Sequence, residues 1–298
     1  MATDNSRSNR ICLAATTAAI LLWSTSFVAT KIAYESFPPL TLGACRFFLA
    51  SAALGITVLL KREFTMPSRK DAGLLALSGL LGITLYFAME NVGVSLTSAS
   101  NAALIVASYP AITVALERIL YGTRFSAGKA AGIVLAGIGV YCISIAGDRV
   151  AGGGDRQLLG NIILAATGIV WAFYNFVMRT VVNKYPPLTV SLYQTIAGFV
   201  AFIPLALIEA PQWRMPTAAS WGTLAYLGLL CSVAAFMLYN YGLRKLSAGT
   251  AVTLMNLVPV FGVLFSVLLL DEQVYARQLI GGLIVIVGVA LTVRAKSA

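Results

Sequence analysis

Histidine is absent from this 298-residue chain, and charged residues make up only 11% of it. The first absence removes any histidine-dependent catalytic triad and any histidine-ligated zinc site. The second removes a water-facing surface, since a soluble domain of this size carries about 25% charged residues. Cysteine is sparse as well: Cys12, Cys45, Cys142 and Cys231 lie far apart in apolar stretches with no CxxC spacing. They read as buried free thiols and say little about redox compartment. No Walker-type glycine loop, GxSxG or paired Asp occurs, so neither ATP nor an acyl-enzyme is indicated. Apolar residues, at 59%, are what the chain has in excess, which excludes disorder and calls for lipid as the solvent. The net charge of +10 does not point to nucleic acid, because the basic residues sit between apolar segments and not on one soluble face.

Crossing a bilayer takes about 20 mostly apolar residues per helix. Ten segments qualify: 11–30, 40–60, 72–91, 100–120, 129–147, 158–179, 188–208, 220–242, 250–270 and 276–294. They are continuous apolar runs without period-2 alternation, so the expected fold is all-α and membrane-embedded, not a β-barrel. Arg7 and Arg10 before the first run resemble a signal peptide, but a copy of that run recurs mid-chain, where no signal peptide can be. With the N-terminus inside, fifteen Lys and Arg fall at inner helix ends and five at outer ones, and Arg46 falls within the second span. That bias predicts both termini in the cytoplasm. Short loops and this charge pattern suit a bacterial inner membrane.

Sliding the chain along itself gives a match at an offset of 148, which becomes 149 after one inserted residue. Trp23 falls on Trp171, and Phe37-Pro38-Pro39-Leu40-Thr41 on Tyr185-Pro186-Pro187-Leu188-Thr189. Further on, Met66-Pro67 meets Met215-Pro216, Asn91 meets Asn240, Ser98-Ala99 meets Ser247-Ala248, and Pro110 meets Pro259. The division predicted is a five-helix repeat over 11–147, a glycine-rich joint over 148–157 and a second repeat over 158–294. Five is odd, so the repeats must insert in opposite directions. Inverted repeats are a transporter architecture, with the substrate near the midplane between them.

These features resemble the drug/metabolite transporter superfamily, in particular its ten-helix proteins made of two EamA-type domains. The residues that carry the resemblance are Trp23 and Trp171, the Pro-Pro turns, and the cores Ser98–Pro110 and Ser247–Pro259. The resemblance implies a secondary transporter, and the general pattern is nearest to bacterial exporters of aromatic and other neutral amino acids. Family members usually carry an acidic residue after each such core. Glu272 fits in the second half, whereas Thr123 stands there in the first, with Glu117 inside the preceding helix.

Candidate site residues follow from the cost of polar groups within lipid. Pro110 and Pro259 lie about ten residues, or about 15 Å, into helices 4 and 9, which places them at mid-depth as paired hinges or as packing kinks. Each proline frees a carbonyl four residues earlier, at Val106 and Met255. Trp23 and Trp171 also fall near mid-depth, either lining a shared cavity with Ser24 and Asn175 or packing helix on helix. Tyr86 and Glu90 lie one turn apart on helix 3, with Tyr239 and Asn240 in the matching part of helix 8. Asn101, Ser108, Tyr109 and Asn256 complete the set, the asparagines as ligands or as interhelical glue. A zwitterion needs an acceptor for its ammonium, donors for its carboxylate and an apolar wall. Glu90 offers the first, asparagine amides and helix ends the second, and Trp23, Tyr86, Tyr109, Trp171 and Met255 the third. Arg46 and Glu90 share the outer third of the membrane and are placed to pair as a structural lock. Lys31, Glu35 and Glu117 lie near helix ends, within reach of water. Glycine faces on helices 5 and 10 read as scaffold or dimer surfaces.

The leading expectation is therefore a carrier without metal or cofactor whose partners are a small molecule and the bilayer, with a homodimer left open. The alternatives are a proton-coupled exporter of other metabolites or drugs, an intramembrane enzyme and a channel.

Overall fold

The computed structural model of the chain describes residues 2–62, 65–122, 126–146, 154–243 and 254–294, and among them every regular element is helical. Ten helices follow in order: α1 (Ala2–Ala33), α2 (Pro39–Lys61), α3 (69–96), α4 (99–121), α5 (Ala127–Ala146), α6 (Gly154–Arg179), α7 (Pro187–Ile208), α8 (218–243), α9 (Leu257–Leu270) and α10 (Ala276–Arg294). Among the described residues, nine are long and apolar enough to cross a membrane, and α9 is shorter. The expected ninth span begins at 250, and residues 250–253 lie outside the described residues. So do Thr123, Ser247-Ala248, residues 148–153 of the expected joint, and the side chain of Asn240.

Local chemistry sets the helix starts. Pro38 and Pro186 are extended, at ψ 153° and 140°, as a residue before proline is held. Pro39 and Pro187 then take the first helical position, where a missing N–H loses no hydrogen bond. Ser68, Ser98 and Thr217 cap α3, α4 and α8, accepting from the N–H three residues on: Asp71 at 3.2 Å, Asn101 at 3.1 Å and Ser220 at 3.1 Å. Two carboxylates reach across the molecule to do the same. Glu209, after α7, accepts from Leu40 N (3.1 Å) and Thr41 N (2.7 Å) at the head of α2. Glu272, after α9, accepts from Ala99 N (2.7 Å) and Ser100 N (3.0 Å) at the head of α4. Negative charge there complements the exposed N–H groups of the first turn.

Two pairs of irregularities mark the halves. Wide π-type turns occupy Leu80–Leu85 in α3 and Tyr226–Ala234 in α8, and 80–85 shifted by 149 gives 229–234, inside the second. Helix α4 breaks at Ala107-Ser108, between Ala99–Val106 and Tyr109–Tyr121, and a turn at Asn256 heads α9. Ala107 and Asn256 each stand three residues before a proline, Pro110 and Pro259. The first proline therefore sits in a restarted helix: Ser108 N–H bonds Ile105 O at 2.9 Å, and Ser108 O accepts from Ala111 and Ile112.

Packing brings the halves together pairwise. Helix α1 lies against α8 and α9, and α6 against α3 and α4; α2 packs on α7 and α8, α7 on α2 and α3, and α4 on α9. Helices α5 and α10 form a pair of their own, backbone on backbone: a Cβ on Gly139 would stand 2.6 Å from Gly281 O, and one on Gly288 2.6 Å from Gly132 O. Their small-residue faces are thus occupied by each other, while Val134, Ile138, Leu279 and Leu283 point outward. A buried core of Ile20, Val28, Ala103, Ile105, Ile143 and Val285 joins this pair to α1 and α4.

Two loop contacts fall at matching positions. Asp71 at the head of α3 accepts from Lys184 Nζ (2.8 Å) and Tyr185 OH (2.9 Å) in the α6–α7 connection. Ser220 at the head of α8 donates to Ser36 Oγ (2.9 Å) in the α1–α2 connection. Shifting 36 by 148 gives 184, and shifting 71 by 149 gives 220.

Candidate functional site

The larger aromatic cluster gathers around α6. The Trp171 ring lies 5.3 Å from that of Tyr86 on α3 and 5.1 Å from that of Tyr174. Tyr86 stands edge-on to Phe87 (4.8 Å) and to Tyr109 of α4 (6.2 Å). Tyr109 can approach because α6 carries glycine beneath it: a Cβ on Gly168 would stand 2.8 Å from the tyrosine ring. The Tyr109 hydroxyl donates to Leu164 O at 2.9 Å, which fixes the ring. Tyr86 OH donates to Glu90 Oε1 at 3.2 Å, and the Glu90 side chain is buried. Asn175 Nδ2 donates back to Trp171 O at 2.7 Å. Among the described residues, the indole N–H of Trp171 has no acceptor.

A second cluster forms where α1 meets α8. Trp23 Nε1 donates to Cys231 O at 3.1 Å, and its ring lies 5.0 Å from Phe236 and 5.1 Å from Tyr239. Cys231 belongs to the π-type turn of α8, where a widened ladder leaves carbonyls open to outside donors. The Thr25 and Tyr226 hydroxyls bond one turn further along. Ser24 is fully buried and donates to Ile20 O of its own helix at 2.7 Å.

Arg46, on α2, lies between these clusters. It is 4% exposed, and its Nε donates to Ser232 Oγ at 2.7 Å. The guanidinium carbon stacks 4.6 Å from the Phe87 ring centre and 5.6 Å from that of Phe47. No carboxylate among the described residues comes within 4.0 Å of it, so the placement suggested by sequence for an Arg46–Glu90 lock does not produce an ion pair.

The remaining candidates fall elsewhere. Asn101 is wholly buried in a polar network, donating to Thr97 Oγ1 (3.1 Å) and accepting from Gln278 Nε2 (2.8 Å), while Thr97 donates to Asn161 Oδ1 (2.6 Å). That joins α4 to α6 and α10. Met255 is 37% exposed beside the partly buried Asn256 at the head of α9, and Asn256 makes no side-chain cap bond. Pro110 is exposed and Pro259 buried. Glu117 pairs with Arg179 at 2.7 Å toward the α4 and α6 ends. Among the described residues, no three His, Cys, Asp or Glu side chains gather as a metal site would need.

The structure thus brings together Tyr86, Glu90, Tyr109, Trp171 and Asn175 in one cluster and Trp23 and Tyr239 in another. Sequence reasoning did not identify Phe87, Tyr174, Cys231 or Ser232. Phe87 and Tyr174 had a usable signal, since each lies within one helical turn of a chosen residue. Cys231 enters through its backbone carbonyl, which carries no side-chain signal.

Known proteins bear on this arrangement. The model of the EamA-like transporter family matches residues 10–145 and again 158–294. An uncharacterized transporter of Archaeoglobus fulgidus is 31% identical over 92% of this chain and 94% of its own length. A probable terminal-alkyne amino-acid exporter of Streptantibioticus cattleyicolor is 28% identical over 91% of this chain and 90% of its own. One solved crystal structure superposes with a TM-score of 0.65 over 97% of both chains at 21% identity, a likeness of fold. Two family matches that together cover nearly the whole chain, on a bundle of long apolar helices, establish that this multi-pass membrane protein belongs to the EamA-like transporter family.

Proposed function

We propose that this protein is a secondary carrier that exports small neutral metabolites, foremost aromatic and other neutral amino acids. The observation that carries this reading is the aromatic cluster of Tyr86, Tyr109 and Trp171 around the buried carboxylate of Glu90, with the Trp171 N–H left open. A flat apolar wall, one acidic acceptor and one open donor are what a zwitterion with an apolar side chain requires. The Streptantibioticus relative, a probable amino-acid exporter, supports the same substrate class.

Alternating access is the proposed mechanism, by rocking of two inverted repeats over 11–147 and 158–294. The exchanged helix pairs support it: α1 with α8 and α9, α6 with α3 and α4. Pro110 and Pro259, each three residues past a break, serve as hinges, and the matched π-type turns of α3 and α8 let those helices bend. Trp23, Tyr239, Met255 and Asn256 belong to the facing wall, and Asn101 and Ser24 hold the helices that carry it. The bias of basic residues toward one side supports both termini in the cytoplasm, as in a protein of a bacterial inner membrane.

Liposomes containing only this protein provide the test, using radiolabelled tryptophan, phenylalanine and threonine with and without a pH gradient. Saturable uptake that is lost in Trp171→Ala is the expected result. No uptake of any of the three under either condition overturns the amino-acid reading. Buried Glu90 favours one second reading, proton-coupled antiport. Under that reading Glu90→Gln abolishes the response to the gradient, whereas unchanged flux and pH dependence remove Glu90 from coupling.

A further inference from the structure

A guanidinium carries five N–H donors, and Arg46 uses one of them. The remaining four, on the two amino groups, have no acceptor among the described residues. Sealed polar atoms without a partner are confined to Ser51 Oγ, Asn161 Nδ2 and Thr189 Oγ1 among those residues. The Arg46 amino groups are not in that set, so they keep a trace of accessible surface although the residue is only 4% exposed. A charge held within an apolar span without a counter-ion is unfavourable unless something anionic or strongly polar visits it. The side chain is nonetheless held: Ser232 fixes Nε from the π-type turn of α8, and the guanidinium carbon lies over the rings of Phe87 and Phe47. A rigid, stacked guanidinium with its amino edge free is a carboxylate receptor.

Its surroundings narrow the ligand further. Phe87 and Glu90 stand three residues apart on α3 and so share a face of that helix. Arg46 lies over the first, and the second stands one turn along, beyond ion-pair distance. The positive and negative groups are therefore neighbours held apart, beside the wall formed by Tyr86 and Trp171. We propose that Arg46 binds the α-carboxylate of the substrate while Glu90 takes its ammonium, so that a zwitterion bridges the two. An amino acid carries both groups on one carbon and so presents both to two side chains that lie more than 4.0 Å apart. This assignment rests on the transport reading above and deepens it, because it makes the carboxylate obligatory and places Ser232 as the residue that positions Arg46.

The test begins with the unaltered protein in nanodiscs and four phenyl compounds: phenylalanine, 3-phenylpropionate, phenylalaninamide and phenethylamine. Intrinsic tryptophan fluorescence reads binding. Phenylalanine is expected to bind best and 3-phenylpropionate next, with the two compounds lacking a carboxylate about 10- to 100-fold weaker, as loss of a charge-assisted hydrogen-bonded pair predicts. Arg46→Gln erases that preference and Arg46→Lys restores part of it. Equal binding of phenylalanine and phenylalaninamide by the unaltered chain overturns the carboxylate subsite and leaves the amino-acid reading standing. So does a carboxylate preference that survives in Arg46→Gln. Binding of 3-phenylpropionate without phenylalanine keeps the subsite and removes the amino-acid reading. If none of the four binds, both fall. The first comparison needs no substitution, so a misfolded variant does not blunt it.

Discussion

Trp23 and Trp171 occupy the same place in the repeat and live differently. Each lies in an aromatic cluster between a first helix and the partly π-type helix of the other half. Trp23 is tied: its indole N–H bonds Cys231 O, and Phe236 and Tyr239 flank the ring. Trp171 has two tyrosines beside it and, among the described residues, no acceptor. The charges differ in the same sense, for Glu90 falls where the other half has Tyr239, and Arg46 where it has Gln194. The two matched halves share their aromatic positions, and they differ at a few residues that gather polar chemistry on one side. A repeat alone thus identifies where a site can be, and departures from the repeat identify what it can hold.

Truncating the two tryptophans separates these roles most sharply. Trp23→Ala removes a bonded, packed ring and is expected to destabilise the protein by about 2–3 kcal/mol, below the fully buried range because Trp23 is only partly buried. Thermal unfolding in detergent reads it. Trp171→Ala is expected to reduce transport at least about 10-fold while lowering stability by less than Trp23→Ala. Equal melting losses would show that Trp171 is packing and not a binding wall. Phenylalanine substitutions give a smaller version of the same contrast. Trp23→Phe leaves the Cys231 carbonyl without its donor and costs about 1 kcal/mol. Trp171→Phe loses no protein hydrogen bond, so melting stays near that of the parent and any change appears in substrate affinity.

The spans and the Pro-Pro turns between them were legible because they depend on composition and local backbone rules. Among the described residues, nine of the ten expected spans recur as long apolar helices, shifted by a few residues at their ends. The π-type turns were not legible. Their sequences, such as Leu80-Leu-Gly-Ile-Thr-Leu85, read as ordinary helix, and the widening accompanies close approach to α7, where Thr84 donates to Gly198 O. The carboxylate caps were equally hidden, since Glu209 and Glu272 find their amides well over a hundred residues away. Asn101 shows the limit for single residues. Helical spacing placed it in a span, but only packing could reveal that Thr97 and Gln278 use its amide.

The smallest effects are expected at the matched loop contacts, where chemistry differs most and strength least. Lys184–Asp71 is an ion pair, yet the lysine side chain is 51% exposed, so water and salt screen it and its worth is small. Ser36–Ser220 is neutral, and both hydroxyls are buried, so removing one leaves the other without that partner. Lys184→Met is therefore expected to shift melting slightly at low salt and not at all at high salt. Ser36→Ala is expected to cost about 1 kcal/mol at any salt concentration. A salt-independent loss in Lys184→Met would mean that the lysine's contribution is packing of its alkyl stem and not its charge. The charged contact would then be no more electrostatic than its neutral counterpart, and the asymmetry between the halves would reduce to the residues around Arg46 and Glu90.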